Sequence, residues 1–143
     1  MAETPDIPPV TKKILIVEDD AINVKFMKVV LIRKGGFDVV VSEDVEEIVS
    51  LVASGEISAI IMDISLSRSV HQGQKVDGIY ITRLLKSDPA TRGVPVILAT
   101  AHAMTGDRER FLADTGAEHY LSKPLHDPDH FLREVNKVFP GNA

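Results

Sequence analysis

A chain of 143 residues, 44% hydrophobic and 26% charged, has the size and balance of one globular domain able to bury a core without covalent staples. It has no cysteine, which excludes disulfides, thiolate catalysis and thiolate metal sites, and no apolar run reaches the ~18 residues of a membrane span. The net charge of −5 offers no general basic face to nucleic acid, and Glu3 and Asp6 stand where a secretory leader needs positive charge; a cytoplasmic chain with neither nucleic-acid nor membrane partners is expected.

Residues 1–11, with Pro5, Pro8 and Pro9, read as a disordered lead-in. Apolar runs and amphipathic stretches then alternate. A strand expected at 13–17 ends in the acidic cluster Glu18-Asp19-Asp20, of which Asp20 best suits a helix cap. Val24, Met27 and Leu31 form one stripe in a helix expected over 21–34, stopped by Gly35-Gly36. A strand at 37–41 and a helix at 44–54 follow. The run Ala59-Ile60-Ile61-Met62, in a strand expected over 58–62, stops at Asp63. From Ser65 to Val76 there is no periodicity, and the stretch exceeds the about two to six residues usual for such a connection. A helix at 78–88 carries Ile81, Leu84 and Leu85 and ends before Pro89. A strand at 94–99 closes at Thr100, a helix at 105–115 at Gly116, and a strand at 118–122 at Lys123-Pro124. The last helix is expected over 127–138, leaving 140–143 as a short tail.

Short, mostly apolar strands without polar alternation, each followed by a helix, indicate a parallel sheet covered on both faces. The expected architecture is a doubly wound (βα)5 sandwich, a single domain over residues 12–139. In such sheets the ligand site lies at the carboxyl ends of the strands. Glu18-Asp19-Asp20, Asp63, Thr100 and Lys123 all fall there. Any one of them alone is more often a cap, a turn residue or a solvated charge. Together they make a set. Clustered carboxylates repel, and a hard divalent cation such as Mg2+ relieves that repulsion. Glu18, Asp19 and Asp63, with a backbone carbonyl near Ser65, could hold one. Asp63 could then act as a carboxylate nucleophile toward phosphorus, with Lys123 and the Thr100 hydroxyl contacting phosphoryl oxygens.

These segments resemble the receiver domain of the two-component response regulators. The matching stretches are Ile14-Leu15-Ile16-Val17-Glu18-Asp19-Asp20, Ile61-Met62-Asp63-Ile64, Ala99-Thr100-Ala101-His102-Ala103-Met104 and Tyr120-Leu121-Ser122-Lys123-Pro124. The resemblance implies a flavodoxin-like fold with a five-stranded parallel sheet of order 2-1-3-4-5. It implies that Asp63 accepts a phosphoryl group from a histidine kinase or histidine phosphotransfer protein, that Glu18 and Asp19 hold Mg2+, and that Lys123 contacts the phosphate. It also implies that Thr100 and Tyr120 form a switch, Tyr120 turning inward as Thr100 is drawn to the phosphoryl group, and that Lys123-Pro124 is cis. By the same analogy His102 faces the site and tunes phosphoryl lifetime. The fourth and fifth helices and the fifth strand would form the surface that changes, acting on an unknown protein target, as a monomer or a phosphorylation-dependent homodimer.

One departure stands out. Where the family usually has Pro four residues after the acceptor, this chain has Ser67, and Asp77-Gly78 arrives about seven residues late in the same comparison. The enlarged loop reads either as a tolerated insertion or as a segment whose Arg68, His71 or Lys75 covers the site or meets a partner. The leading function is a stand-alone phosphorylation switch. A phosphate-independent pseudo-receiver is the alternative. An aspartyl-phosphate phosphatase is disfavoured, because the second Asp that such enzymes place two residues after the nucleophile is Ser65 here. The five histidines show no zinc spacing.

Overall fold

The computed structural model describes residues 11–101 and 104–139. Five parallel strands form the central sheet: β1 (Lys13–Val17), β2 (Asp38–Val41), β3 (Ala59–Asp63), β6 (Val96–Thr100) and β7 (His119–Ser122), in the order β2-β1-β3-β6-β7. Counting only these five, the order is 2-1-3-4-5, as expected. The helices are α1 (Ala21–Val29), α2 (Val45–Ala53), α3 (Gly78–Ser87), α4 (Asp107–Thr115) and α5 (Pro128–Asn136).

The apolar strands bury both faces because their side chains alternate. Leu15, Val17, Ile60, Met62, Val96 and Leu98 point to one side, against Val45, Ile48 and Val52 of α2 and Ile81 and Leu85 of α3. Ile14, Ile16, Ala59, Ile61, Ile97 and Ala99 point to the other, against Met27 of α1 and Phe131 and Val135 of α5. Each fully buried aliphatic side chain contributes roughly 1.5–3 kcal/mol by leaving water. A one-residue slip would exchange the two faces, so the register holds Asp63 opposite Ala99 and Thr100 opposite Ser122.

Side-chain caps start four of the helices. Asp20, Asp44, Asp77 and Asp127 accept from the first backbone N–H groups of α1, α2, α3 and α5. Asp20 therefore does what its position in the acidic cluster led us to expect. Two features differ from expectation. The first helix is α-helical only to Val29 and continues as a π-helical segment over Val30–Lys34, in which Gly35 N–H donates to Val30 O. Asp63 and Thr100 lie within their strands, as last residues, rather than just beyond them.

The enlarged loop is also not irregular. It contains an antiparallel hairpin, β4 (Val70–His71) with β5 (Gln74–Lys75), closed at its base by Val76 N–H donating to Ser69 O. Gln72 and Gly73 both have positive φ (53° and 80°), as the two central residues of a primed hairpin turn require. Gln is a poor resident of that conformation, whereas Asn is enriched in it. Gln72→Asn is expected to raise stability by about 0.5 kcal/mol, read as a shift in the urea midpoint without a change in slope.

Candidate functional site

Three loops meet at the carboxyl end of the sheet. β1 and β3 are neighbours, and Val17 pairs with Met62, so Glu18 and Asp63 emerge side by side. One carboxylate oxygen from each of Glu18, Asp19 and Asp63 lies within 4.8 Å of the other two. Lys123 follows β7, and its N–H donates to the Thr100 carbonyl at 2.8 Å. The following Lys123-Pro124 peptide is cis, as expected. The Lys123 ammonium reaches back to Glu18 Oε1 at 2.6 Å and Asp63 Oδ1 at 3.3 Å. All three of these side chains are buried.

Burial and mutual charge set the electrostatics. Desolvation pushes the Glu18 carboxyl up to about 6; Asp63 beside it adds to the rise, while the bond from Lys123 restrains it. Burial works against the Lys123 ammonium, but the bond to Glu18 and the charge of Asp63 outweigh it and hold its pKa above the ordinary value. Asp19 is held below the ordinary carboxylate range: slight burial opposes this, and two hydrogen bonds from Ser67 prevail. Asp63 Oδ1 also accepts from the Ser65 backbone N–H at 3.1 Å. Hard oxygens, clustered and partly buried with one lysine for counter-charge, fit a divalent cation such as Mg2+ by donor chemistry.

The backbone beneath Asp63 is held by a close approach. Gly78, at the start of α3, donates its N–H to Ile64 O, and a Cβ at this position would overlap the Asp63 carbonyl. The hairpin closes on itself before Asp77-Gly78, so the insertion returns the chain to this contact despite its length.

The remaining expected residues are placed as follows. Thr100 is buried at the end of β6. Tyr120 of β7 is turned inward, its ring stacked on Phe111 of α4 at 6.1 Å, and its hydroxyl is buried with no hydrogen-bond partner among the described residues. Burial, with the charge of Asp107, raises its pKa. His102 lies outside the described residues. His71 is turned to α3, where its Nδ1 meets the Tyr80 hydroxyl at 2.6 Å. Arg68 instead lies at the mouth of the site, paired with Glu43 and donating to the Asp19 carbonyl. Sequence reasoning missed the bonds from Ser67 to Asp19 and the role of Gly78 under Asp63. The second had a signal, a glycine directly after a helix-capping aspartate.

The fold and the acidic cleft at its strand ends define the class of response regulator receiver domains. The sequence pattern of that family, described as the response regulator receiver domain, matches residues 14–136, and the chain belongs to it. Among curated relatives, it is 36% identical over 133 residues to the polar-differentiation response regulator DivK of Brucella abortus, spanning 93% of this chain and 99% of the relative. The DivK of Brucella anthropi is likewise 36% identical, over 132 residues. Among solved structures, the receiver domain of the sensor histidine kinase PA1611 from Pseudomonas aeruginosa superposes with a TM-score of 0.71 at 30% identity, covering 90% of this chain and 97% of that one. That structure has a magnesium ion coordinated in its active-site cleft. The chemotaxis protein CheY4 of Vibrio cholerae, 18% identical with a TM-score of 0.75 over 91% of this chain and all of that one, shares the fold. No helix among the described residues is long and apolar enough to cross a membrane.

Proposed function

We propose that this protein is a phosphorylation-controlled switch of a two-component or phosphorelay system, in which Asp63 accepts a phosphoryl group from a histidine kinase or histidine phosphotransfer protein. The observation that carries the reading is the convergence of three carboxylates within 4.8 Å, with Lys123 bonded to two of them. The magnesium in the cleft of the PA1611 receiver supports it from a relative.

Glu18, Asp19 and Asp63, with the Ser65 carbonyl, would hold Mg2+, which when bound screens the negative charge of the phosphoryl oxygens. A carboxylate oxygen of Asp63 attacks phosphorus; the phosphorus–nitrogen bond of the phosphohistidine donor breaks, and the imidazole leaves with the electron pair and takes up a proton. The product is an aspartyl phosphate. Lys123 exchanges part of its bond to the carboxylates for a phosphoryl oxygen, and the Thr100 hydroxyl donates to another. Tyr120, against Phe111, couples Thr100 to the surface of α4 and β7, so phosphorylation biases binding of a protein target. The chain works as a cytoplasmic switch, a monomer or a phosphorylation-dependent homodimer, and not as an enzyme of many turnovers.

Intact mass after incubation with acetyl phosphate tests the assignment. One phosphoryl group is expected in Mg2+, and none in EDTA or in Asp63→Asn. A phosphoryl group retained by Asp63→Asn would move the acceptor elsewhere. Failure of the wild type both with acetyl phosphate and to bind beryllofluoride with Mg2+ would favour a phosphate-independent binding module.

A further inference from the structure

The segment at the foot of the hairpin is fixed to the site at three consecutive residues. Ser67 donates twice to one oxygen, Asp19 Oδ2, from its N–H at 2.9 Å and its hydroxyl at 2.7 Å. Arg68 forks onto Glu43, at 3.2 and 2.8 Å, and donates to the Asp19 carbonyl at 3.1 Å. Ser69, buried, donates its hydroxyl to the Glu43 carbonyl at 2.8 Å. The loops after β1, β2 and β3 are thus tied together, and the hairpin base at Ser69 and Val76 holds the tie from the other side.

Asp19 is the most exposed of the three clustered carboxylates and would otherwise sample several rotamers in water. With Oδ2 occupied by two donors, its carboxylate plane is set, and Oδ1 is the oxygen not engaged by Ser67. A monodentate ligand to a small, geometrically demanding cation needs that kind of outer support.

We infer that Ser67 is a positioning residue for the metal site: its hydroxyl and N–H orient Asp19 and thereby raise the affinity for Mg2+. The inference rests on the metal assignment proposed above. Proline at this position could make neither bond, and alanine could make one.

Calorimetric titration of the EDTA-stripped, full-length protein with MgCl2 tests it, alongside urea unfolding in EDTA. Ser67→Ala is expected to weaken Mg2+ binding about 10-fold, as loss of an outer-shell partner commonly does, with little change in the metal-free urea midpoint. Ser67→Thr, which keeps both donors, is expected to bind as the wild type does. Equal or tighter binding by Ser67→Ala would overturn the positioning role while leaving the metal site standing. Weakening shared equally by Ser67→Thr would also overturn it, since packing and not the hydroxyl would then be responsible. A wild type that binds no Mg2+ would overturn the metal assignment and this inference with it.

Discussion

Lys123→Met is expected to lower stability by about 3 kcal/mol at pH 8 and by far less at pH 5, because it strips the cation from two buried carboxylates. Methionine fills a similar volume, so the loss is one of charge rather than of packing. Its pH dependence follows from Glu18. In the wild type the folded-state value is about 6 against an ordinary 4.5. A group raised on folding lends stability below its unfolded pKa and loses it as pH rises through the folded one. From 4.5 to about 6, at ~1.4 kcal/mol per unit, this gives a wild-type decline of roughly 2 kcal/mol. Without Lys123 the folded value rises further, so the variant declines over a wider window, extending above pH 6. Urea unfolding at pH 5 and pH 8 measures this. A loss of equal size at both values would mean that the lysine stem, not its charge, supports the fold. The same variant should take little phosphate from acetyl phosphate, since the group we assign to a phosphoryl oxygen is gone.

Gly78→Ala should be strongly damaging, although it adds a single methyl to a residue that carries no chemistry. The added methyl would overlap the carbonyl oxygen of Asp63 and press on its carbon and on Ile64 Cα, all backbone atoms. A flexible side chain could turn away; the end of a central strand cannot. Alanine would return up to ~1 kcal/mol in helix propensity, but forcing α3 off β3 costs about 3 kcal/mol or more. A net loss of about 2–3 kcal/mol is expected in the urea midpoint, accompanied by weaker Mg2+ binding because the Asp63 backbone must move. A neutral or stabilising effect would show that α3 slides freely and that the contact does not position Asp63.

Both predictions concern contacts that sequence patterning did not find, although the fold and the carboxylates were legible. The runs of β1, β3 and β6 lack polar alternation and are buried on both faces, and right-handed parallel connections then bring all five carboxyl ends to one side. That reasoning put Glu18, Asp19, Asp63, Thr100 and Lys123 at the same end of the sheet. It did not find the hairpin, because β4 and β5 have only two residues each and their Gln72-Gly73 turn lacks the Asn or Asp that marks such turns. It left the enlarged loop open between a tolerated insertion and a segment whose Arg68, His71 or Lys75 covers the site, and it did not find the bonds of Ser67 to Asp19 and of Arg68 to Glu43.

The sequence by itself determined the five βα units, the parallel sheet and the gathering of acidic, hydroxyl and basic residues at its carboxyl edge, since periodicity and burial act over a few neighbouring residues. The tertiary structure alone decided which partners meet: Lys123 with Glu18 across 105 positions, Ser67 with Asp19 across 48, Arg68 with Glu43 across 25, and Gly78 against the Asp63 carbonyl. Those pairings depend on strand order, register and side-chain direction together. No local pattern of residue types records that combination.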